Sequence, residues 1–596
     1  MKSQKTPKQP IIKPSQHHKK RLFSRRTFLC VELIAIFATL CILKNTDSYY
    51  SVYLLIGLAA SICACFRYRH IKFKNIASLF SLFFAFCITL SNYKIYTVLS
   101  SGGEIWPLFA FFASLIVFLG SFIMFSNILS VLQSLTIKIA PPQITARRNL
   151  IFFLTCFAII TIIDIAILLI AFYPGILTSD SIDQVGQTLT NTYSNHHPFY
   201  FTILIKPFIS IGLNIFHNIN TGVALFSTFQ ILIVAAAFSY AMLTLYQKGF
   251  SRKTLIIATA IFAFLPYNIM YSFTMWKDVL FGAFFLVFIV SLYRYFTFNT
   301  KRSLSLAFII ISGIIICLYR SNAIYAIAVS SIIFFFIFHK RYLRLGLSLV
   351  AITILSFILR GPVLSILNVS QPDILESLAI PMQQVTRTII EQRNTLSDEN
   401  TDLINHLADI DSIADAYNPI IHDPVKNLIR LQGDKSYLSS HIQEFTKLYL
   451  QLGFAYPSSY LKAWIDQTKG YWNAGYSYWK WSDTSAENQY SIANSSPATP
   501  LKNAIQTYIQ NFDRISFLQP LVSIGLTVWL LITILFLAIH HHSRTLLFLT
   551  IPLLATWGTL LIATPVFSEF RYTYFLFTCT PFLLAISFIK TKPKEP

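Results

Sequence analysis

Two carboxylates three residues apart, Asp180 and Asp183, follow a Tyr-Pro-Gly turn in YPGILTSDSIDQ (173–184), and a dihistidine, His196-His197, closes the same loop in NHHPFY. Positions i and i+3 of a helix share a face. Two acids on one face at a membrane boundary are candidates for chemistry on one bound group. The same residues also fit a plainer role, with Ser179 or Asp180 capping a helix and Asp183 solvated. With an imidazole beside them, Asp180, Asp183 and His197 are candidate ligands for a divalent cation, although the spacing matches no dedicated metal motif.

Charge recurs beside apolar runs at three further places: Trp276-Lys277-Asp278, Leu318-Tyr319-Arg320-Ser321-Asn322 and Ser568-Glu569-Phe570-Arg571-Tyr572. Lys277 with Asp278, and Glu569 with Arg571, are either plain ion pairs or groups that address a charged ligand. Solubility explains poorly why Arg320 sits in so tight a turn; gripping a phosphate or carboxylate explains it better. Together these segments offer carboxylates, imidazoles and guanidiniums. That is the inventory for moving a group off a lipid phosphate.

What gives these acids weight is their scarcity. Only nine acidic residues lie outside 361–516, among them Asp180, Asp183, Asp278 and Glu569. The chain of 596 residues is 55% hydrophobic and 12% charged. A soluble protein carries roughly twice that share of charge, so an all-α integral membrane protein is expected. Its net charge of +22 is spread in short clusters between apolar runs. Positive-inside topology accounts for that pattern, and no nucleic-acid partner is expected. All eight cysteines lie in or beside hydrophobic runs, so neither a disulfide framework nor a Cys metal site is expected in 361–516.

About fourteen spans (12–14) are expected, near 27–43, 51–66, 75–97, 105–132, 149–172, 222–246, 254–273, 279–298, 303–319, 323–338, 342–359, 518–540, 545–563 and 573–589. With the basic tail 1–26 in the cytoplasm, the basic loops 67–74, 138–148, 247–253, 294–302 and 339–344 and the tail 590–596 all fall inside. Segment 199–216 is then an outer interfacial helix rather than a span. The organisation that follows is four N-terminal spans in 27–148 and a membrane module in 149–359 with its outer loop at 173–221. A mainly helical extracytoplasmic domain (360–517) and three C-terminal spans (518–589) complete it. Domain 360–517 is large enough for its own core, and its Trp464, Trp472, Trp479 and Trp481 either anchor it to the membrane or stack on sugars. Asp164, deep in 149–172, reads as a helix–helix hydrogen-bonding residue.

The pattern YPG…T-x-D-S…Q…HHP (173–198), with WKD at 276–278, Arg320, ESLAIPMQQVTR (376–387), YNPIIHDPVK (417–426) and QTKGYW (467–472), resembles a family of uncharacterised polytopic membrane proteins from Gram-positive bacteria. More distantly, an acidic residue in the first outer loop of the module and a late Glu-x-Arg-Tyr are similar to the GT-C superfamily of membrane glycosyltransferases. That resemblance implies a GT-C-like fold, Asp180 as the catalytic carboxylate, and a sugar donor carried on polyprenyl phosphate. It also implies a cell-envelope acceptor, a polysaccharide or teichoic acid, and an active site on the outer face of the cell membrane. Asp183 would orient the acceptor, while His196, His197, Lys277, Asp278, Arg320, Glu569 and Arg571 would bind substrate. No cofactor is certain, a divalent cation being the one candidate. A polymerase or ligase of lipid-linked glycans, or a transporter or flippase, are the alternatives.

Overall fold

The computed structural model describes residues 75–100, 106–140, 145–476 and 485–589 apart from isolated positions, with most of 30–43 and three positions between 57 and 62. The expected tails 1–26 and 590–596, nearly all of the expected span 51–66, and Trp479 and Trp481 lie outside the described residues. Within those residues the chain is helical, with isolated bridges and no strand. Eight helices are long and apolar enough to cross a membrane, so the chain is a multi-pass helical membrane protein. In lipid a helix satisfies every backbone polar group internally, which is why the apolar runs take this form.

The chain divides into two units, 1–134 and 135–596. In the first, α1 (Asn75–Ser91) lies along α2 (Trp106–Leu132), with Phe84 and Phe125 ring centroids 4.7 Å apart. The expected span 75–97 is interrupted at Asn92. Its side chain donates to Ile88 O (2.8 Å), and a separate short helix Tyr93–Ser100 follows.

The second unit opens with α3 (Ala146–Ala171), α4 (Ser179–Thr190), α5 (Phe199–Asn214) and α6 (Ile219–Lys248). The expected straight span 254–273 is instead a pair, Arg252–Phe264 and Pro266–Ser272, bent by 67°. Pro266 has no N–H to continue the ladder, and Asn268 Nδ2 donates to the Phe262 carbonyl at the break (2.8 Å). Then come α7 (Lys277–Thr297), α8 (Arg302–Tyr319), α9 (Ser321–Phe338) and a span Leu343–Ile366 that contains a π-helical turn at Leu359–Val363.

The polar region 360–517 has its own core, in which Leu375, Val385, Ile404, Val425, Ile429, Phe445 and Leu448 are buried together. Its helices include α10 (Ala379–Gln392), α11 (Asp423–Gln432) and α12 (Pro457–Thr468). The C-terminal helices are α13 (Ile524–His540), α14 (Arg544–Ala563) and α15 (Phe570–Ser587). Expected spans 27–43 and 518–540 correspond to shorter apolar helices, and 573–589 to α15 with its polar first turn.

Residues 172–178, 272–278, 320, 359–370 and 564–571 meet at one end of the second unit, joined by the Ile176–Thr274 bridge and by Arg320 donating to Tyr572 O (3.0 Å). Helix α5 begins there, with Asn195 N donating to Ser370 O (2.8 Å). It also ends there: Gly212 packs on Gly222 near the start of α6, and Asn220 Nδ2 reaches Ser491 O (3.5 Å). Both of its ends belong to one end of the helix bundle. The basic residues at 147–148, 248–253, 301–302 and 341–344 lie at the opposite ends of the helices.

Candidate functional site

The loop that presents Asp180 is fixed before the helix begins. Gly175 has φ +126°, and a Cβ there would meet Ser227 Oγ at 2.2 Å, so only glycine serves at this turn. Ile176 then pairs with Thr274: its N–H donates to Phe273 O (3.0 Å) and its carbonyl accepts from Met275 N (2.9 Å). Thr178 and Ser181 form a capping box at the start of α4, and Ser181 Oγ donates to Met275 O (2.6 Å). Trp276 Nε1 donates to Thr178 Oγ1 (2.8 Å). The turn before α7 and the turn before α4 are thus one hydrogen-bonded unit, and Asp180 leaves it from the first turn of α4.

Arg571, on the first turn of α15, donates from Nη1 to Asp180 Oδ2 at 2.8 Å, and its Nε lies 3.8 Å from Glu569 Oε1. The guanidinium also lies over the Trp276 ring, 5.3 Å from its centroid. Arg320 Nη1 stands 3.0 Å from Asp278 Oδ1 and donates to Tyr572 O at 3.0 Å. Asp278 is 1% exposed and has no aligned hydrogen bond, so it is held by charge alone. The expected local pair of Glu569 with Arg571 is present at 3.8 Å, alongside the shorter bond of Arg571 to Asp180, while Asp278 pairs with Arg320 rather than with Lys277. Lys277 is half-buried and makes no ion pair among the described residues, while its charge acts on Asp180, Asp278 and His197.

Asp183 points elsewhere. It is exposed, accepts from Gln187 Nε2 (2.8 Å), and lies 3.7 Å from His197 Nε2. His197 is buried, whereas His196 is exposed and meets it edge-on, 4.7 Å between centroids. The proposed cation ligands Asp180, Asp183 and His197 therefore do not converge: Asp180 turns to Arg571 and Asp183 turns outward. Among the described residues no group of three or more His, Cys, Asp or Glu is placed to hold a metal ion.

Residues 186–595 match the model of DUF6020, a family of unknown function. The chain belongs to DUF6020. No curated protein and no solved structure matches it. In this DUF6020 chain the match takes in His197, Lys277, Asp278, Arg320, Glu569 and Arg571, while Asp180 and Asp183 stand just ahead of it.

The electrostatics of the DUF6020 site follow from burial opposed by charge. Burial acts to raise the Asp180 carboxyl, but Arg571 foremost, with His197 and Lys277, outweighs it and holds it at about 2. Burial, and next the charge of Lys277, push His197 down to about 4, so its imidazole is neutral at pH 7.

Sequence reasoning missed the residues that hold these turns. Gln230, fully buried in α6, donates from Nε2 to the carbonyls of Tyr271 (3.0 Å), Ser272 (3.1 Å) and Thr274 (2.8 Å). A glutamine inside an apolar run was the available signal. The QTKGYW segment seats the polar region on the last turn. Tyr471 Oη accepts from Glu569 N (3.0 Å), and Gly470 lies so close to Ser568 that a Cβ would meet it at 2.5 Å. The aromatics here act as struts: Trp464 Nε1 donates to Leu561 O (2.8 Å), Trp557 Nε1 to Tyr471 O (2.9 Å) and Trp529 Nε1 to Trp472 O (2.7 Å).

Proposed function

We propose that this DUF6020 member is a membrane glycosyltransferase that takes a sugar from a polyprenyl-phosphate donor and passes it to a cell-envelope glycopolymer. The observation that carries the proposal is the 2.8 Å bond between Asp180 and Arg571, which joins residues 391 apart at the bundle end beneath a polar region. Lys277 and Arg320 add two cations beside it. On this reading the fold is GT-C-like with about fourteen crossings. The site faces outward from the cell membrane, and both termini are cytoplasmic.

The resting pair explains how such a site would fire. Locked to Arg571 and held at about 2, Asp180 is a weak base. A donor phosphate competes for the guanidinium, and the carboxylate then regains basicity as its partner turns to the phosphate. The acceptor hydroxyl attacks the anomeric carbon. The new C–O bond forms as the bond to the phosphate oxygen breaks, the phosphate keeps the electron pair, and Asp180 takes the hydroxyl proton. Arg571, Arg320 and Lys277 stabilise the charge growing on the leaving phosphate, each such contact in a dry site contributing about 3 kcal/mol. Asp183 and neutral His197 orient the acceptor.

The test is a strain deleted for the gene and analysed for cell-envelope sugars. One sugar is expected to disappear, to return with wild type, and to stay absent with Asp180→Asn expressed at the same level. Full restoration by that variant refutes the proposal; a ladder of repeats as the lost product moves it to a polymerase.

A further inference from the structure

Arg360 is a charge at the membrane rim that the proposed reaction does not use. It lies in the π-helical turn Leu359–Val363, at the same end of the bundle as the site. Its Nη1 donates to the carbonyls of Leu318 (2.9 Å) and Cys317 (3.5 Å) at the end of α8, just ahead of Arg320. Among the described residues no carboxylate comes within ion-pair distance of it, whereas the two guanidiniums of the candidate site each have one: Arg320 has Asp278 and Arg571 has Asp180. Nη1 accounts for a minority of the five N–H donors of a guanidinium. The rest need acceptors, because a charge at the edge of a bilayer is costly when unmatched.

The surroundings say what kind of acceptor fits. The Arg360 charge acts on the hydroxyls of Tyr200 and Tyr325. Tyr200 Oη itself donates to Leu359 O (2.7 Å), which fixes α5 against this turn. Tyr325 on α9 and Phe357 on the next span meet edge-on with centroids 6.1 Å apart, 59% and 47% exposed, and Ile354, one turn before Phe357 on the same face, is 56% exposed. A guanidinium with donors to spare near Tyr325, next to exposed aromatic and aliphatic side chains, matches a molecule with a phosphate head and a hydrocarbon tail. Capping the C-terminus of α8 explains the bonds to Cys317 and Leu318. It leaves the remaining donors without a role.

We infer that Arg360, with Tyr325, binds the phosphate of a membrane lipid whose chains lie along Tyr325, Phe357 and Ile354. The inference does not depend on the transferase reading. Because Arg360 grips the carbonyl two residues before Arg320, the bound head group would sit next to the candidate site. A lipid-borne donor would reach that site by the same path.

The full chain, purified and stripped of lipid in a neutral detergent, is titrated separately with polyprenyl phosphate, dioleoyl phosphatidylglycerol and inorganic phosphate, with binding read by native mass spectrometry. Saturable binding of at least one of the two lipids is expected, with none of inorganic phosphate at the same concentration, because the chains contribute. Arg360→Gln is expected to weaken lipid binding about tenfold, Tyr325→Ala to weaken it less, and Arg360→Lys to retain most of it. Preference for polyprenyl phosphate identifies the donor's route, and equal binding of both identifies a resident phospholipid; either supports the site. Wild-type lipid binding by an Arg360→Gln protein that elutes as wild type overturns it. So does loss of lipid binding in Arg360→Lys equal to that in Arg360→Gln. Asp180→Asn, which leaves the rim intact, is expected to bind lipid normally. A failed rim site is therefore distinguishable from a failed transferase.

Discussion

Removing each partner of the Asp180–Arg571 pair in turn separates a site joined across the bundle from two charges that merely lie close. The carboxyl is held at about 2 against an ordinary 3.8. At about 1.4 kcal/mol per unit, that amounts to about 2 kcal/mol of stability. The Asp180 side chain is 30% exposed, so solvent screening makes this an upper figure. A depressed carboxylate contributes fully above the unfolded value near 4 and loses that contribution as pH falls through 2. Asp180→Asn should therefore cost up to about 2 kcal/mol at pH 7. Arg571→Gln should cost more, about 3 kcal/mol or above, because it strands Asp180 and also leaves Glu569 without the nearby guanidinium. The double variant should be less destabilised than the sum of the two, by a coupling of about 1–2 kcal/mol. Unfolding of the detergent-solubilised chain, followed by tryptophan fluorescence at pH 7 for all four proteins, supplies the cycle. Additivity within about 0.5 kcal/mol would show that the two charges do not depend on each other. The account of how the donor phosphate activates Asp180 would then lose its basis.

Two further outcomes follow from the same geometry. His197 and His422 are both buried and both pushed down to about 4, His422 by burial and then by Lys426. The unfolded chain takes up these protons near 6.5 while the folded chain does not. Stability is then complete above pH 6.5 and falls between 6.5 and 4, by at most about 3 kcal/mol for each imidazole. His197→Gln should flatten the pH dependence of the unfolding midpoint over that window, and a wild-type slope in the variant would contradict it. Gln230→Leu strips three carbonyls of one shared donor and should cost about 1–3 kcal/mol. It should also loosen the Trp276 turn, seen as altered tryptophan fluorescence; a variant as stable as wild type refutes that role.

The multi-pass helical character was legible because a 20-residue apolar run admits few structures in lipid, and eight of the expected spans correspond to helices long and apolar enough to cross. The reading of 199–216 as an interfacial helix came from the same charge asymmetry, and the helix found there, Phe199–Asn214, has 16 residues. Asp180, Lys277, Arg320 and Arg571 were legible because a charge is rare beside such runs. Their pairing was not. Sequence adjacency left Lys277 with Asp278 and Glu569 with Arg571 as open alternatives, and helical spacing put Asp180 and Asp183 on one face. Arg571 does keep Glu569 within 3.8 Å, but the closest partners are 42 residues apart, Asp278 with Arg320, and 391 apart, Asp180 with Arg571. Such pairs depend on which helix ends meet, and that is decided by packing of α4, α7, α8 and α15 that no local pattern encodes. The bend at Pro266 shows the same limit: proline signals a break, while only Asn268 shows how the broken end is satisfied.

The two cross-bundle pairs differ in what they leave available, and that difference assigns their parts. Asp278 is buried and already spends Arg320, whose Nη1 is also committed to Tyr572 O. Breaking this pair for a substrate would strand a carboxylate in a dry site, so it suits a fixed support. Asp180 keeps nearly a third of its side chain exposed, and Arg571 has Glu569 as a second carboxylate within 3.8 Å. If a phosphate draws Arg571 toward itself, neither acid is stranded, because Asp180 can be solvated or meet an acceptor hydroxyl and Lys277 stands near as a replacement charge. Exchange of partners is therefore cheap at Asp180 and costly at Asp278. On the transferase proposal, the two pairs would divide the work, Asp180–Arg571 exchanging partners and Asp278–Arg320 holding the frame.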